Sequence, residues 1–161
     1  MPNPVQAQSV LHSTFVLERS YPVSPEEVFS AFSDPAKKRR WYAQAKSHDV
    51  EEYSMDFRVG GTDRGRYRFT ENSPFPGVIL TNVSHYLDIV PNRRIVFAYC
   101  MTMHDHRFSA SLSTVDLVPT STGTDLIFTE QGAFFENSDG PEMRKDGWSK
   151  LLDSLGRELK S

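Results

Sequence analysis

Pro141-Glu-Met-Arg-Lys-Asp-Gly-Trp-Ser-Lys-Leu-Leu-Asp-Ser-Leu-Gly-Arg-Glu-Leu-Lys160 is the longest stretch of the chain with helical periodicity. Trp148, Leu151, Leu152, Leu155 and Leu159 fall on one face at the spacing of an α-helix, which predicts a helix from about Pro141 to Lys160. Gly147 and Gly156 each cost such a helix about 1 kcal/mol relative to alanine. Their presence suggests a backbone or a ligand in close approach. One amphipathic helix has to cover its apolar face against another layer. What precedes it, from residue 46 to 132, reads as strands and turns.

In that region Met55, Phe57 and Val59 alternate with Asp56 and Arg58, predicting a strand that turns at Gly60-Gly61. Gly65, Tyr67 and Phe69 alternate against Arg66, Arg68 and Thr70. Extended segments follow at Val78–Val90, Ile95–Met103, Phe108–Val118 and Asp125–Gly132, separated by turn-forming residues. Val10 to Tyr21 is a further strand, with Phe15, Leu17 and Tyr21 on one parity. Between it and the rest lie two short helices. Ser24-Pro-Glu-Glu27 supplies a cap, a first-turn proline and a capping-box glutamate, and Asp34-Pro35 restarts the same logic for a helix ending near Trp41-Tyr42. Residues 1–9 are expected to be a loose tail and 10–161 a single domain.

The 161 residues carry 38% hydrophobic and 24% charged side chains and a net charge of −3, which excludes a disordered chain. The longest apolar run, Ile95–Met101, is far shorter than the ~20 residues of a membrane-spanning helix, so no membrane insertion is expected. Charge is spread evenly, with no basic face of the kind nucleic-acid binders show. One cysteine, Cys100, and a start with no signal-like segment fit a cytoplasmic protein. Aromatic residues reach 12%, which suits a β-rich core and equally suits a site for apolar ligands.

Several of these segments together resemble a known family. They are Arg19-Ser-Tyr-Pro-Val-Ser-Pro-Glu-Glu-Val-Phe29, Asp34-Pro35 through Trp41, Asp56-Phe-Arg-Val-Gly-Gly61, Pro91-Asn-Arg-Arg-Ile-Val-Phe97, Gly123-Thr-Asp-Leu126, Thr129-Glu-Gln-Gly-Ala-Phe134 and Gly147-Trp148 with Leu151, Leu152 and Leu155. In order and spacing they resemble the Hsp90 ATPase activator homologue-like branch of the START/Bet v 1-like (SRPBCC, polyketide cyclase-like) superfamily. The resemblance implies an α+β helix-grip fold: a curved antiparallel sheet of six to seven strands wrapped around the C-terminal helix, with an apolar cavity between them. It implies little about activity, since one fold hosts many functions.

Strand alternation names the expected cavity residues: Phe57, Tyr67 and Phe69; Phe97, Tyr99 and Met101; Phe128 and Glu130. Trp41 and Tyr42 would lie near the entrance in the implied fold, and Trp148 and Leu152 would come from the helix. Glu130 stands out, because a carboxylate on an apolar face must be paired or protonated. It reads either as a ligand acceptor or general base, or as the structural partner of an arginine or tyrosine. His104-Asp-His106 places two imidazoles on one side of a strand. Zinc needs three or four ligands, and a polar hairpin turn accounts for the segment better, so no metal and no cofactor are expected. Lys37-Lys-Arg-Arg40 reads as a solvated helix face.

The leading expectation is a non-catalytic carrier or sensor that holds a small hydrophobic or aromatic molecule, as a monomer or homodimer with no specified protein partner. One alternative is a cyclase- or dehydratase-like enzyme using Glu130. Another is a co-chaperone-like protein that contacts an ATPase. The full activator has a further N-terminal domain that 161 residues do not accommodate, which argues against true chaperone activation.

Overall fold

The computed structural model describes residues 10–160. The expected tail, residues 1–9, lies outside the described residues. Seven strands form one antiparallel sheet: β1 (Leu11–Tyr21), β2 (His48–Met55), β3 (Thr62–Phe69), β4 (Ile79–Val90), β5 (Arg94–Met103), β6 (His106–Pro119) and β7 (Thr124–Phe134). Their spatial order is β1-β7-β6-β5-β4-β3-β2. Strands two to seven are therefore a meander, and β1 closes it by pairing with β7. Because β1 and β2 sit on opposite edges, the segment between them must cross the whole sheet. It does so as α1 (Pro25–Ser33) and α2 (Pro35–Lys38), extended by a π-helical turn over Arg39–Ala43. The long helix α3 (Pro141–Leu159) completes the α+β helix-grip fold.

The caps form where the sequence places them. The Ser24 hydroxyl accepts from the Glu27 amide at 3.3 Å, and Asp34 accepts from the amides of Ala36 and Lys37 at 2.9 and 3.4 Å. These side chains satisfy amide groups that a helix start leaves open.

Two expectations are corrected. The predicted strand over Met55–Val59 does not exist, because β2 ends at Met55 and Asp56–Gly61 is a turn. The carboxylate of Asp56 accepts from Arg58 Nε at 2.9 Å, Gly60 adopts φ +86°, and a β-carbon on Gly61 would stand 2.1 Å from the Asp56 carbonyl. Local polar bonds and two glycines therefore outweigh the alternation. Second, Lys37–Arg40 is not a solvated face throughout. Lys38 is only 7% exposed, donates to Asp63 at 2.8 Å and to the Tyr86 hydroxyl at 3.1 Å, and lies over the rings of Tyr42 and Tyr86. A lysine can run its stem through apolar surroundings when its ammonium finds a carboxylate.

Helix α3 lies against the sheet through Trp148, Leu152 and Leu155, all buried, with the Trp148 and Phe128 ring centroids 4.2 Å apart. The Tyr21 hydroxyl donates to the Leu152 carbonyl at 2.7 Å, Arg19 reaches Ser149 and Asp153, and Arg40 pairs with Glu158. Helix α3 is thus held both to the β1 edge and to the crossing segment. Gly156 makes the first contact possible, since a β-carbon there would meet the Tyr21 ring at 3.3 Å.

Candidate ligand-binding site

Between α3 and the β2–β5 half of the sheet is a cavity of about 570 Å³, within the ~300–1,000 Å³ range of small-molecule sites. Tyr67, Phe69, Leu80 and Met101 form its sheet wall. Trp148, Gly147, Leu151 and Met143 form the helix wall. Trp41, Tyr42 and the residues from Gln44 to His48 close one side. The two tryptophans of the chain therefore both border this space.

Alternation explains the sheet wall. In β3 the inward parity runs Asp63, Gly65, Tyr67, Phe69, and in β4 it runs Leu80, Asn82, Ser84, Tyr86. Register shifts at Val50/Glu52, Tyr86/Asp88 and Met101/Thr102 bend the sheet at its cavity half, as extra residues in one strand do. The π-helical turn places Trp41 and Tyr42 on adjacent faces, with ring centroids 5.7 Å apart. Trp41 is pinned by its N–H donating to the Ala31 carbonyl at 2.7 Å.

Of the residues named from sequence, Trp41, Tyr42, Tyr67, Phe69, Tyr99, Met101 and Trp148 are brought together on the cavity wall. Phe57, Phe97, Phe128, Glu130 and Leu152 lie away from it. Phe57 packs edge-on to Phe29 and Tyr86, with ring centroids 5.6 and 4.9 Å away. Phe97, Phe128 and Leu152 belong to the buried cluster behind Trp148. His104 and His106 sit at the β5–β6 turn, where His104 takes φ +51° and His106 reaches the Glu136 carbonyl. Among the described residues no group of three or more His, Cys, Asp or Glu side chains is placed to hold a metal ion.

Glu130 is fully buried, beside Phe15 on one neighbouring strand and Ser113 on the other. One of its oxygens accepts from the hydroxyls of Tyr99 and, at 3.2 Å, Ser113. Its other oxygen has no hydrogen-bond partner and lies 4.0 Å from the Arg144 guanidinium. Burial pushes the Glu130 carboxyl above its ordinary range, although Tyr99 and Arg144 act in the opposite direction. The Tyr99 hydroxyl separates this carboxyl from the cavity. It donates to Glu130 and accepts from Arg144 Nη1 and Trp148 Nε1, each at 3.1 Å. Its donor and acceptor capacity is thereby filled by protein.

Arg144, Asn82 and His48 are among the polar wall residues that sequence reasoning missed, with Lys46, Asp139, Lys150 and Arg157 at the same wall. Arg144 is bound on two sides by Asp139 at 2.8 and 2.9 Å and donates to Ser109 at 2.8 Å. Its signal was present: it precedes Trp148 by one helical turn, on the same face. Asn82 donates to the Tyr42 hydroxyl at 2.6 Å. His48 lies edge-on to Tyr67, with ring centroids 4.8 Å apart. The Tyr67 hydroxyl is buried without a hydrogen-bond partner. The site is an aromatic chamber with polar groups at its rim, among them the Ser47 hydroxyl 3.4 Å from His48 Nδ1.

A helix gripped by a bent antiparallel sheet over such a chamber defines a START/Bet v 1-like (SRPBCC) protein. Within that class the chain belongs to the Activator of Hsp90 ATPase homolog 1-like family, whose model matches residues 22–160. An uncharacterized protein from Rhizobium leguminosarum is similar at 38% identity, with 94% of this chain and 97% of that one covered and a TM-score of 0.87. A Rhizobium loti protein is similar at 44% identity, with 94% and 99% covered and a TM-score of 0.83. An AHSA1-like protein from Aeromonas hydrophila shares the fold at 19% identity, with 92% of each chain covered and a TM-score of 0.65. No curated protein matches. No helix among the described residues is long and apolar enough to cross a membrane.

Proposed function

We propose that this chain binds a small hydrophobic or aromatic molecule in the chamber between α3 and the sheet, as a carrier or sensor. The observation that carries the reading is the 570 Å³ cavity walled by two tryptophans, three tyrosines, Phe69, Leu80 and Met101. Apolar burial would supply the affinity, at roughly 25 cal/mol per Å² before the entropic cost of association. With Trp41 and Trp148 both on the wall, a ligand there must alter the intrinsic fluorescence. Titration with the neutral dye N-phenylnaphthylamine should quench tryptophan emission and sensitise the dye, and native mass spectrometry of protein from its own host should reveal a bound small molecule. Absence of both signals would overturn the reading.

Contact with an ATPase is the second reading, and the family match favours it. The two are separable by filling the chamber through Gly147→Leu, where an added side chain meets open space. A ligand carrier loses dye binding in that variant, whereas a surface contact with an ATPase survives it.

A further inference from the structure

The charge of the chamber differs from that of the molecule. The whole chain carries a net charge of −3. The cavity lining contains four basic side chains, Lys46, Arg144, Lys150 and Arg157, and one acidic side chain, Asp139. That carboxylate is held by Arg144 through two hydrogen bonds, so it adds no free negative charge to the wall. Arg144 in turn is spent on Asp139, Tyr99 and Ser109. Lys150 pairs with Asp146 at 3.0 Å. Lys46 and Arg157 remain, one before β2 and the other on the last turn of α3, and no ion pair engages either among the described residues.

One uncharged polar group points the same way. The Tyr42 hydroxyl accepts from Asn82 and keeps its own proton for another acceptor. His48 does not add to this, because its Nε2 proton goes to the Ala43 carbonyl and leaves Nδ1 as an acceptor beside the Ser47 hydroxyl. Unpaired cations therefore outnumber unpaired anions around an apolar space. A low-dielectric cleft lined by one sign of charge concentrates ligands of the opposite sign.

We infer that the ligand is an amphipathic anion: an aromatic or aliphatic body in the chamber, with an acidic group at the mouth between Lys46 and Arg157. This rests on the cavity-binding reading above and narrows it to a chemical class. Two dyes with one skeleton test it. N-phenylnaphthylamine is neutral, and anilinonaphthalene sulfonate adds a single negative charge. Energy transfer from Trp41 and Trp148 reports each, and Gly147→Leu serves as the cavity-filled control.

In low salt the sulfonate should bind more tightly than the neutral dye and weaken as salt is added. The exposed pair Lys46→Gln/Arg157→Gln should weaken the sulfonate about fivefold and leave the neutral dye unchanged, as expected from two rim charges. Equal effects on both dyes, no effect on the sulfonate, or sulfonate binding that survives Gly147→Leu would overturn the anion assignment. In each of those cases binding of the neutral dye would leave the cavity reading standing. Failure of both dyes to report would remove the cavity reading itself, and the assignment with it.

Discussion

The phenolic oxygen of Tyr67 lies 2.2 Å from where a β-carbon on Gly65 would stand. The two residues share the inward parity of β3, and Tyr67 folds back along the strand over its neighbour's missing side chain. Glycine here serves the close approach of a ring, since its φ is not in the left-handed region. Tyr67 also borders the cavity.

Gly65→Ala should therefore do two things. It should destabilise the protein by about 1–3 kcal/mol, the usual range for overpacking, and it should drive the Tyr67 ring into the chamber. Urea denaturation reads the first effect and weakened N-phenylnaphthylamine binding the second. Combining it with Tyr67→Val should restore much of the stability, so that the double-mutant loss falls well short of the sum.

Lys38 and Asp63 form a buried ion pair, 2.8 Å apart, that ties the crossing segment to β3. Lys38→Met leaves Asp63 buried without its cation, and one of that carboxylate's oxygens already lacks a partner. The expected loss is about 3–5 kcal/mol. Lys38→Met/Asp63→Asn, which removes the stranded charge, should recover a substantial part of it in the same urea experiment. Equal loss in the single and double variants would show that packing of the lysine stem, rather than charge, dominates.

This pair also shows what one sequence makes legible. Alternation revealed which strand residues face inward because this sheet buries one greasy face, and a period of two then separates Tyr67 from Arg66 and Phe128 from Ile127. The helix starts were readable because capping is local chemistry. Buried charges were not. Lys38 sits in a run of four cations and looks solvated until Asp63, 25 residues away, is folded against it. Arg144 sits 45 residues from Tyr99, and only tertiary structure shows that they bond. Phe57 failed for a different reason: a polar turn bent the chain where an alternating pattern continued. The cavity itself is a space between α3 and the sheet, and its volume depends on how far apart they stand.

Glu130 should leave a signature in the pH dependence of stability. Its carboxyl is raised above the ordinary 4.5, mainly by burial. Above pH 4.5 the unfolded chain gives up this proton while the folded chain retains it. The folded state then binds more protons, and stability falls as pH rises until the folded-state value is passed. The slope is at most about 1.4 kcal/mol per pH unit. Glu130→Gln, which cannot ionise, should lack this decline. The difference in melting temperature between variant and parent should therefore move in the variant's favour from pH 5 to pH 8. A difference independent of pH would mean that Arg144 and Tyr99 fully offset the burial.

The two helical glycines of α3 should respond in opposite ways. At Gly147 a β-carbon meets nothing within 4 Å, and the position lies on the cavity wall. Gly147→Ala should therefore realise the full helix-propensity gain of about 1 kcal/mol. At Gly156 the same β-carbon would press on the Tyr21 ring at 3.3 Å. Tyr21 cannot retreat freely, because its hydroxyl donates to the Leu152 carbonyl at 2.7 Å. Gly156→Ala should accordingly gain less than Gly147→Ala, or lose stability outright. Thermal melts of the two single variants decide this directly. The outcome also bears on the proposed ligand reading, which expects a glycine bordering the chamber to provide room at some cost in helix stability. Gly147→Ala should thus raise the melting temperature while weakening the neutral dye, and Gly147→Leu should abolish dye binding in a protein that remains folded.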